Sequence, residues 1–275
     1  MSQKLPRVLL TGAAGAIGNV IRPALAPLAG LLRSGDSALL RPIAANEECV
    51  SFDLRDAAAV TKAMEGTDVV FHFGGLSLEA DWPAIRDVNI DGTHNVFEAA
   101  RQCGARRIVF ASSNHAAGFY PRDCTIGPDV PDRPDSRYGV AKVFGEALGS
   151  LYADKHGLEV ICLRIGLFRP HPTNKRMLSL WLSHGDMARL AVRCLVAESI
   201  DFEVVYGISR NNRSWYRNSG AARIGYVPID NAEDYAASLP PEALTESDVE
   251  AAFQGGPFCS AEYDSARSVS PPRGV

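Results

Sequence analysis

The segment Thr11-Gly12-Ala13-Ala14-Gly15-Ala16-Ile17-Gly18 constrains this chain more tightly than any other. It follows a short apolar run, Val8–Thr11, that suits a buried strand, and precedes helical spacing from Asn19 to Ala29. Glycines between a strand and a helix permit positive φ in a tight turn and let the backbone approach a pyrophosphate closely. The helix N-terminus then adds unsatisfied N–H groups and the positive end of its dipole. Gly12, Gly15, Ala16, Ile17 and Gly18 are therefore the candidate phosphate contacts. A glycine turn alone is a weak signal. After the first strand of an alternating chain it points to a dinucleotide.

That alternation continues. Strand-like runs fall at Gly30–Leu32, Val50–Phe52, Asp68–Phe73, Arg107–Ala111 and Glu159–Ile165, and helical spacing at Ala57–Met64, Pro83–Cys103 and Ser136–His156. Such a chain predicts right-handed crossovers and an α/β, doubly wound Rossmann fold with a parallel sheet. After Gly166 the rhythm loosens, leaving a helix at Gly185–Ala197, a strand at Phe202–Tyr206, a polar loop from Asn211 to Ala222 and a tail from about Ser260. The expected division is a dinucleotide-binding domain over 1–166 and a small substrate-binding region with the C-terminal tail over 167–275, packed on the first.

A net charge of -4 argues against nucleic acid or an acidic membrane as partner, since either calls for a basic face. Nothing reaches the roughly 18 apolar residues that a membrane span needs. Met1–Arg7 leads directly into the first strand, without the apolar region of a signal peptide. The six cysteines are scattered, with no CxxC and no His pair at metal spacing. They read as reduced thiols of a cytoplasmic protein, with no metal site expected.

Asp36 lies 18 residues beyond Gly18, placed to accept hydrogen bonds from the adenosine-ribose hydroxyls. A carboxylate there repels a 2′-phosphate and favours NAD over NADP; the nearby Arg33 argues the other way, and a solvated turn acid is the alternative. Asp53 and Leu54 suit the adenine. Gly74 and Gly75 suit a close approach to the cofactor, although a bare strand-end turn explains them too. Tyr138 and Lys142 sit one turn apart on a helix face. A lysine cation near a phenol is expected to lower its pKa and make it a proton acceptor, while also holding the nicotinamide ribose. Ser113, at a strand end, would orient the substrate oxygen.

The TGxxGxxG turn, the Ser112-Ser113 strand end and YxxxK 25 residues beyond Ser113 resemble the extended short-chain dehydrogenases over roughly residues 5–170. Within them the chain is similar to the bacterial uronate dehydrogenases. The stretches that carry this likeness are Asn46–Val50, Phe110–His115, Gly127–Pro131, Tyr138–Val140, Arg176–Ser179 and Phe253–Gly256. The resemblance implies oxidation of a hexuronic acid such as D-glucuronate or D-galacturonate at C1, giving an aldarolactone and NADH, in a homo-oligomer. It implies Tyr138 as base, Lys142 as its partner, and Ser113, Asn114, His115 and Ser77 at the sugar. Asn89 would support the lysine or its water. Arg176, otherwise readable as a surface arginine beside Asn174 and Lys175, would hold the carboxylate through its guanidinium fork. The likeness departs at Leu167-Phe168-Arg169, where relatives place a small polar residue; backbone groups of Leu167 and Phe168 would still reach sugar and nicotinamide. The competing readings are a nucleotide-sugar epimerase or dehydratase that retains its NAD, and a non-catalytic NAD sensor on the same scaffold.

Overall fold

A computed structural model describes residues 5–264. Seven strands form one sheet: β1 (Arg7–Thr11), β2 (Leu31–Asp36), β3 (Glu47–Ser51), β4 (Val69–His72), β5 (Arg107–Ser113), β6 (Glu159–Ile165) and β7 (Phe202–Gly207). Their spatial order is β3-β2-β1-β4-β5-β6-β7, and every pairing is parallel. The doubly wound fold expected from the alternation is the fold observed. The order reverses between β1 and β4, so the crevice at their carboxyl ends is the natural ligand position in such a sheet.

Successive side chains of a strand face opposite sides, and here both sides are dry. Val8 and Leu10 join one apolar cluster with Ile21, Leu25, Met187 and Leu190, while Leu9 joins the other with Val60, Met64, Phe97 and Tyr152. The helices Ala16–Leu25 and His184–Val196 thus cover one face. Ala57–Met64, Gly92–Cys103 and Arg137–His156 cover the second.

Several boundaries differ from the sequence reading. β2 begins at Leu31 and runs on to Asp36, and the first helix starts at Ala16 and ends at Leu25, followed by a 3-10 turn at Ala26–Leu28. The helix expected over Pro83–Cys103 begins at Trp82 and contains a π-helical stretch, Ile85–Asp91, before Gly92–Cys103. The polar stretch from Asn211 holds the start of a short helix, Ser219–Ile224. The division after residue 166 does not coincide with a break in the fold. β7 completes the main sheet and His184–Val196 packs on its face, so residues on the far side of 166 build the first unit as well. The tail expected from about Ser260 is described only to Asp264; the rest lies outside the described residues.

The C-terminal segment returns over the carboxyl end of the sheet. Phe253 bridges to Pro121, and Gly255 N–H donates to Gly118 O at 2.8 Å. This lays residues 253–259 against the loop that leaves β5 and puts Phe258 beside the crevice.

Phe97 is fully buried, edge-on to Phe110 at 6.2 Å and to Tyr152 at 5.5 Å. Phe97→Ala should therefore cost about 3–5 kcal/mol of stability, read as a lower urea midpoint with little change in slope.

Candidate active site

A cleft of about 910 Å³ runs along the carboxyl ends of the strands. Its floor is the glycine turn, and the crowding there explains the residue choice. Gly12 has φ 71°, and a Cβ on it would lie 2.6 Å from Gly74 N and from Phe73 backbone atoms at the end of β4. Thr11 Oγ1 accepts from Gly74 N–H at 3.0 Å and bonds His72 Nδ1 at 2.9 Å; His72 Nε2 meets Thr93 Oγ1 at 3.2 Å. Burial drives the His72 pKa down to about 3, so this chain of hydrogen bonds is neutral and ties β1 to β4. The helix Ala16–Leu25 starts after Gly15, which has no side chain to cap its first-turn N–H groups. An uncapped helix end above a turn without room for side chains fits a dinucleotide pyrophosphate.

Gly12, Gly15, Ala16, Ile17, Gly18, Asp36, Asp53, Leu54, Gly74 and Gly75 all line the cleft. Asp36 Oδ2 accepts from Ala14 N–H at 2.9 Å and Oδ1 from Ala38 N–H at 3.0 Å, so the carboxylate is built into the turn. Arg33 points elsewhere, to Glu48 and to the carbonyls of Ala63 and Glu65 at 2.7 and 2.8 Å. It offers nothing to a 2′-phosphate. Asp53 is paired with Arg55 at 2.6 Å, and that hydrogen bond holds its carboxyl below the usual range.

At the other end stand Ser113, Tyr138 and Lys142. The helix Arg137–His156 is started by Ser136, whose Oγ accepts from Gly139 N–H at 3.0 Å, and by Glu79, which accepts from Tyr138 N–H at 2.8 Å. Lys142 Nζ donates to Ala111 O at 2.7 Å and lies 5.3 Å from the Tyr138 ring centre. Burial lowers the Lys142 pKa to about 8, with Glu146 acting against the shift. The expected depression at Tyr138 is not what the chain alone produces. Burial raises the phenol to about 12, and the neighbouring Ser113 hydroxyl opposes that only in part.

Asn114, His115, Ser77, Leu167 and Phe168 also line the cleft. Phe168 stacks on His184 at 4.5 Å. Asn89 does not line it. Its Oδ1 accepts from Leu76 N–H at 2.8 Å and its Nδ2 donates to Leu76 O at 3.0 Å, so it shapes the loop after Gly75. Arg176 also stands back from the cleft wall and is buried, not a surface residue. Its Nε donates to Gln254 O at 2.7 Å; with the Asn114 amide turned so that its oxygen faces the guanidinium, Arg176 Nη2 donates to that oxygen at 2.9 Å and the amide N–H donates to Ile165 O at 3.1 Å. Among the described residues Arg176 has no carboxylate partner within ion-pair distance, an unusual state for a buried guanidinium.

Two neighbours escaped the sequence reading. Phe258 lies 3.9 Å from the His115 ring, stacked on it, and Asp135 Oδ2 meets His115 Nδ1 at 2.7 Å. The signals were slight: an acid just before a helix cap, and an aromatic just after Gly255-Gly256-Pro257.

A phosphate cradle that leads along one cleft to a buried tyrosine, serine and lysine defines a dinucleotide-dependent enzyme of the short-chain dehydrogenase type. Residues 8–197 match the NAD dependent epimerase/dehydratase family, to which the chain belongs. Uronate dehydrogenase of Pseudomonas syringae pv. tomato is 42% identical over 93% of this chain and 94% of its own length. That of Agrobacterium fabrum is 46% identical over 92% and 97%. The crystal structure of a mutant uronate dehydrogenase from Agrobacterium tumefaciens complexed with NAD superposes with a TM-score of 0.88 at 43% identity, covering 97% of this chain and 99% of that one. Within the family, the chain falls among the uronate dehydrogenases.

Lys142 supplies a test of the site's electrostatics. Because burial disfavours the ammonium, one lysine signal should titrate near pH 8 rather than at the ordinary value of 10.5. Carbon-13 NMR of labelled lysine should find it, and Lys142→Met should remove it.

Proposed function

We propose that this chain oxidises a hexuronic acid, D-glucuronate or D-galacturonate, at C1 to the aldarolactone with formation of NADH. The observation that carries this reading is the meeting of Ser113, Tyr138 and Lys142 at one end of a cleft whose other end is the glycine cradle. Bound NAD supplies the hydride acceptor and a positively charged ring. Gly12, Gly15, Ala16, Ile17 and Gly18 would hold its pyrophosphate, Asp36 its adenosine ribose, Asp53 and Leu54 its adenine, and Lys142 and Phe168 its nicotinamide end. Asp36 built into the turn and Arg33 turned away both favour NAD over its 2′-phosphate.

Tyr138 takes the proton of the C1 hydroxyl, and Ser113 orients that oxygen. Since the isolated phenol is held at about 12, proton acceptance depends on positive charge brought to it during turnover, and Lys142 is the chain's own source. Asn114, His115, Ser77 and the backbone of Leu167 position the sugar. Arg176, buried without a carboxylate and hydrogen-bonded to Asn114, is the group for the uronate carboxylate. Residues after β7, which return over the cleft mouth through Phe258, act with 167–182 as the substrate-binding region.

The enzyme is a cytoplasmic homo-oligomer in this reading. Free cysteines at all six positions support a reducing compartment. On the helix Arg137–His156 the apolar residues Val140, Phe144, Ala147 and Leu151 form a stripe, with Val140 and Leu151 each more than two-fifths exposed. A second copy is the partner such a stripe suits.

Tyr138→Phe should lower NADH formation from glucuronate by at least about 100-fold with little change in NAD affinity by calorimetry. Retained turnover would remove Tyr138 as the base. Arg176→Ala should raise KM for uronates by about 10- to 100-fold, the loss of a charged hydrogen bond, while the weak turnover of matching aldoses stays constant. Light scattering should give an integer multiple of the 29.6 kDa chain mass, and Leu151→Arg should shift it toward one. A monomeric wild type would remove the oligomer.

A further inference from the structure

His115 reaches the cleft through a support that has its own architecture. Its Nδ1 is 2.7 Å from Asp135 Oδ2, and the Asp135 side chain is fully buried. The other carboxylate oxygen accepts from Ser136 Oγ at 2.8 Å, the same hydroxyl that caps the helix carrying Tyr138. Two segments far apart in the chain make room for this carboxylate by having no side chain. A Cβ on Gly118 would lie 1.7 Å from Asp135 Oδ2, and one on Gly255 would lie 1.9 Å from it. Phe258 covers one face of the imidazole at 3.9 Å, and Tyr138 meets it edge-on at 5.9 Å. The ring is therefore fixed in position and in rotation. Among the described residues its Nε2 has no hydrogen-bond partner, and the residue lines the cleft.

A neutral imidazole carries its proton on the nitrogen that faces an acceptor, which leaves the other as a lone pair. Burial holds the His115 pKa below its ordinary value, against the pull of Asp135, so the neutral ring is the form present. We propose that Asp135 is a positioning residue: it places the His115 proton on Nδ1, so that Nε2 meets the sugar as a hydrogen-bond acceptor and selects substrates that present a hydroxyl donor there. This rests on the reading that His115 touches the substrate. A site committed to accepting a hydroxyl proton rejects a ligand without one, because its own buried acceptor is then left unpaired.

A double-mutant cycle tests it. His115→Asn should raise the KM for glucuronate by about tenfold or more with NAD affinity unchanged. Asp135→Asn keeps the shape between Gly118 and Gly255 but offers Nδ1 a donor as readily as an acceptor; it should raise KM similarly, and add nothing in the His115→Asn background. If the two effects add in full, or Asp135→Asn leaves KM alone while His115→Asn raises it, Asp135 does not act through His115. If His115→Asn itself leaves KM unchanged, the substrate contact falls first and the proposal with it. Nitrogen-15 NMR of the wild-type protein gives an answer independent of whether the variants fold. His115 Nδ1 should carry the proton and Nε2 should show the shift of an unprotonated ring nitrogen; the opposite tautomer overturns the proposal.

Discussion

Everything in this molecule is arranged around a place where two strand ends are too close for a side chain. Gly12 abuts the backbone of Phe73 and Gly74, and Thr11 fastens the contact through Gly74 N–H and His72. The crevice between β1 and β4 opens where the parallel order reverses. Removing side chains from its floor lets a ligand's phosphates reach backbone N–H groups and the helix dipole together. Because all seven strands point the same way, every loop that carries a cleft residue leaves the same edge of the sheet. Chemistry is therefore gathered by parallel topology and not by proximity in sequence.

The sheet and the helices that cover it are held together by buried charge and polar groups that need partners. Arg164 on β6 pairs with Glu146 on the helix of Tyr138 and Lys142 at 2.7 Å, and with Asp132 at 2.8 Å. Arg107, wholly buried on β5, donates to the carbonyls of Cys194, Leu195 and Ala197 at the end of the helix over the opposite face. Breaking such a buried pair strands a charge in a low-dielectric interior, so these contacts hold strands and helices in one arrangement. Among the described residues Arg176 is the exception: a buried guanidinium that donates only to neutral groups. Burial disfavours its charge, as it disfavours the phenolate of Tyr138.

Regular elements were the most legible part of the chain. β6 at Glu159–Ile165 and the helix Ala57–Met64 coincide with their sequence bounds, since an apolar run or a capped periodic stretch reports its own geometry. The π-helical stretch Ile85–Asp91 was not legible, because nothing in its residues distinguishes an i→i+5 turn. The two bonds of the Asn89 amide to Leu76, made across a loop, had no signal in the sequence. The neighbours Asn174 and Lys175 leave Arg176 readable as a surface arginine, yet it is buried and donates to Gln254 of the returning C-terminal segment.

The sequence by itself determined the alternation that makes a parallel sheet, the glycine turn, and the helix that sets Tyr138 and Lys142 on one face, because each is a local pattern of a few residues. Only the tertiary structure decided the protonation of those groups and the orientation of their neighbours. The pKa of Tyr138 depends on how completely it is buried, the direction of Arg33 on the strand beside it, and the state of His115 on Asp135 and Phe258. Those are contacts between segments up to 143 residues apart, and no local pattern encodes the dielectric or the partner that folding brings to a side chain.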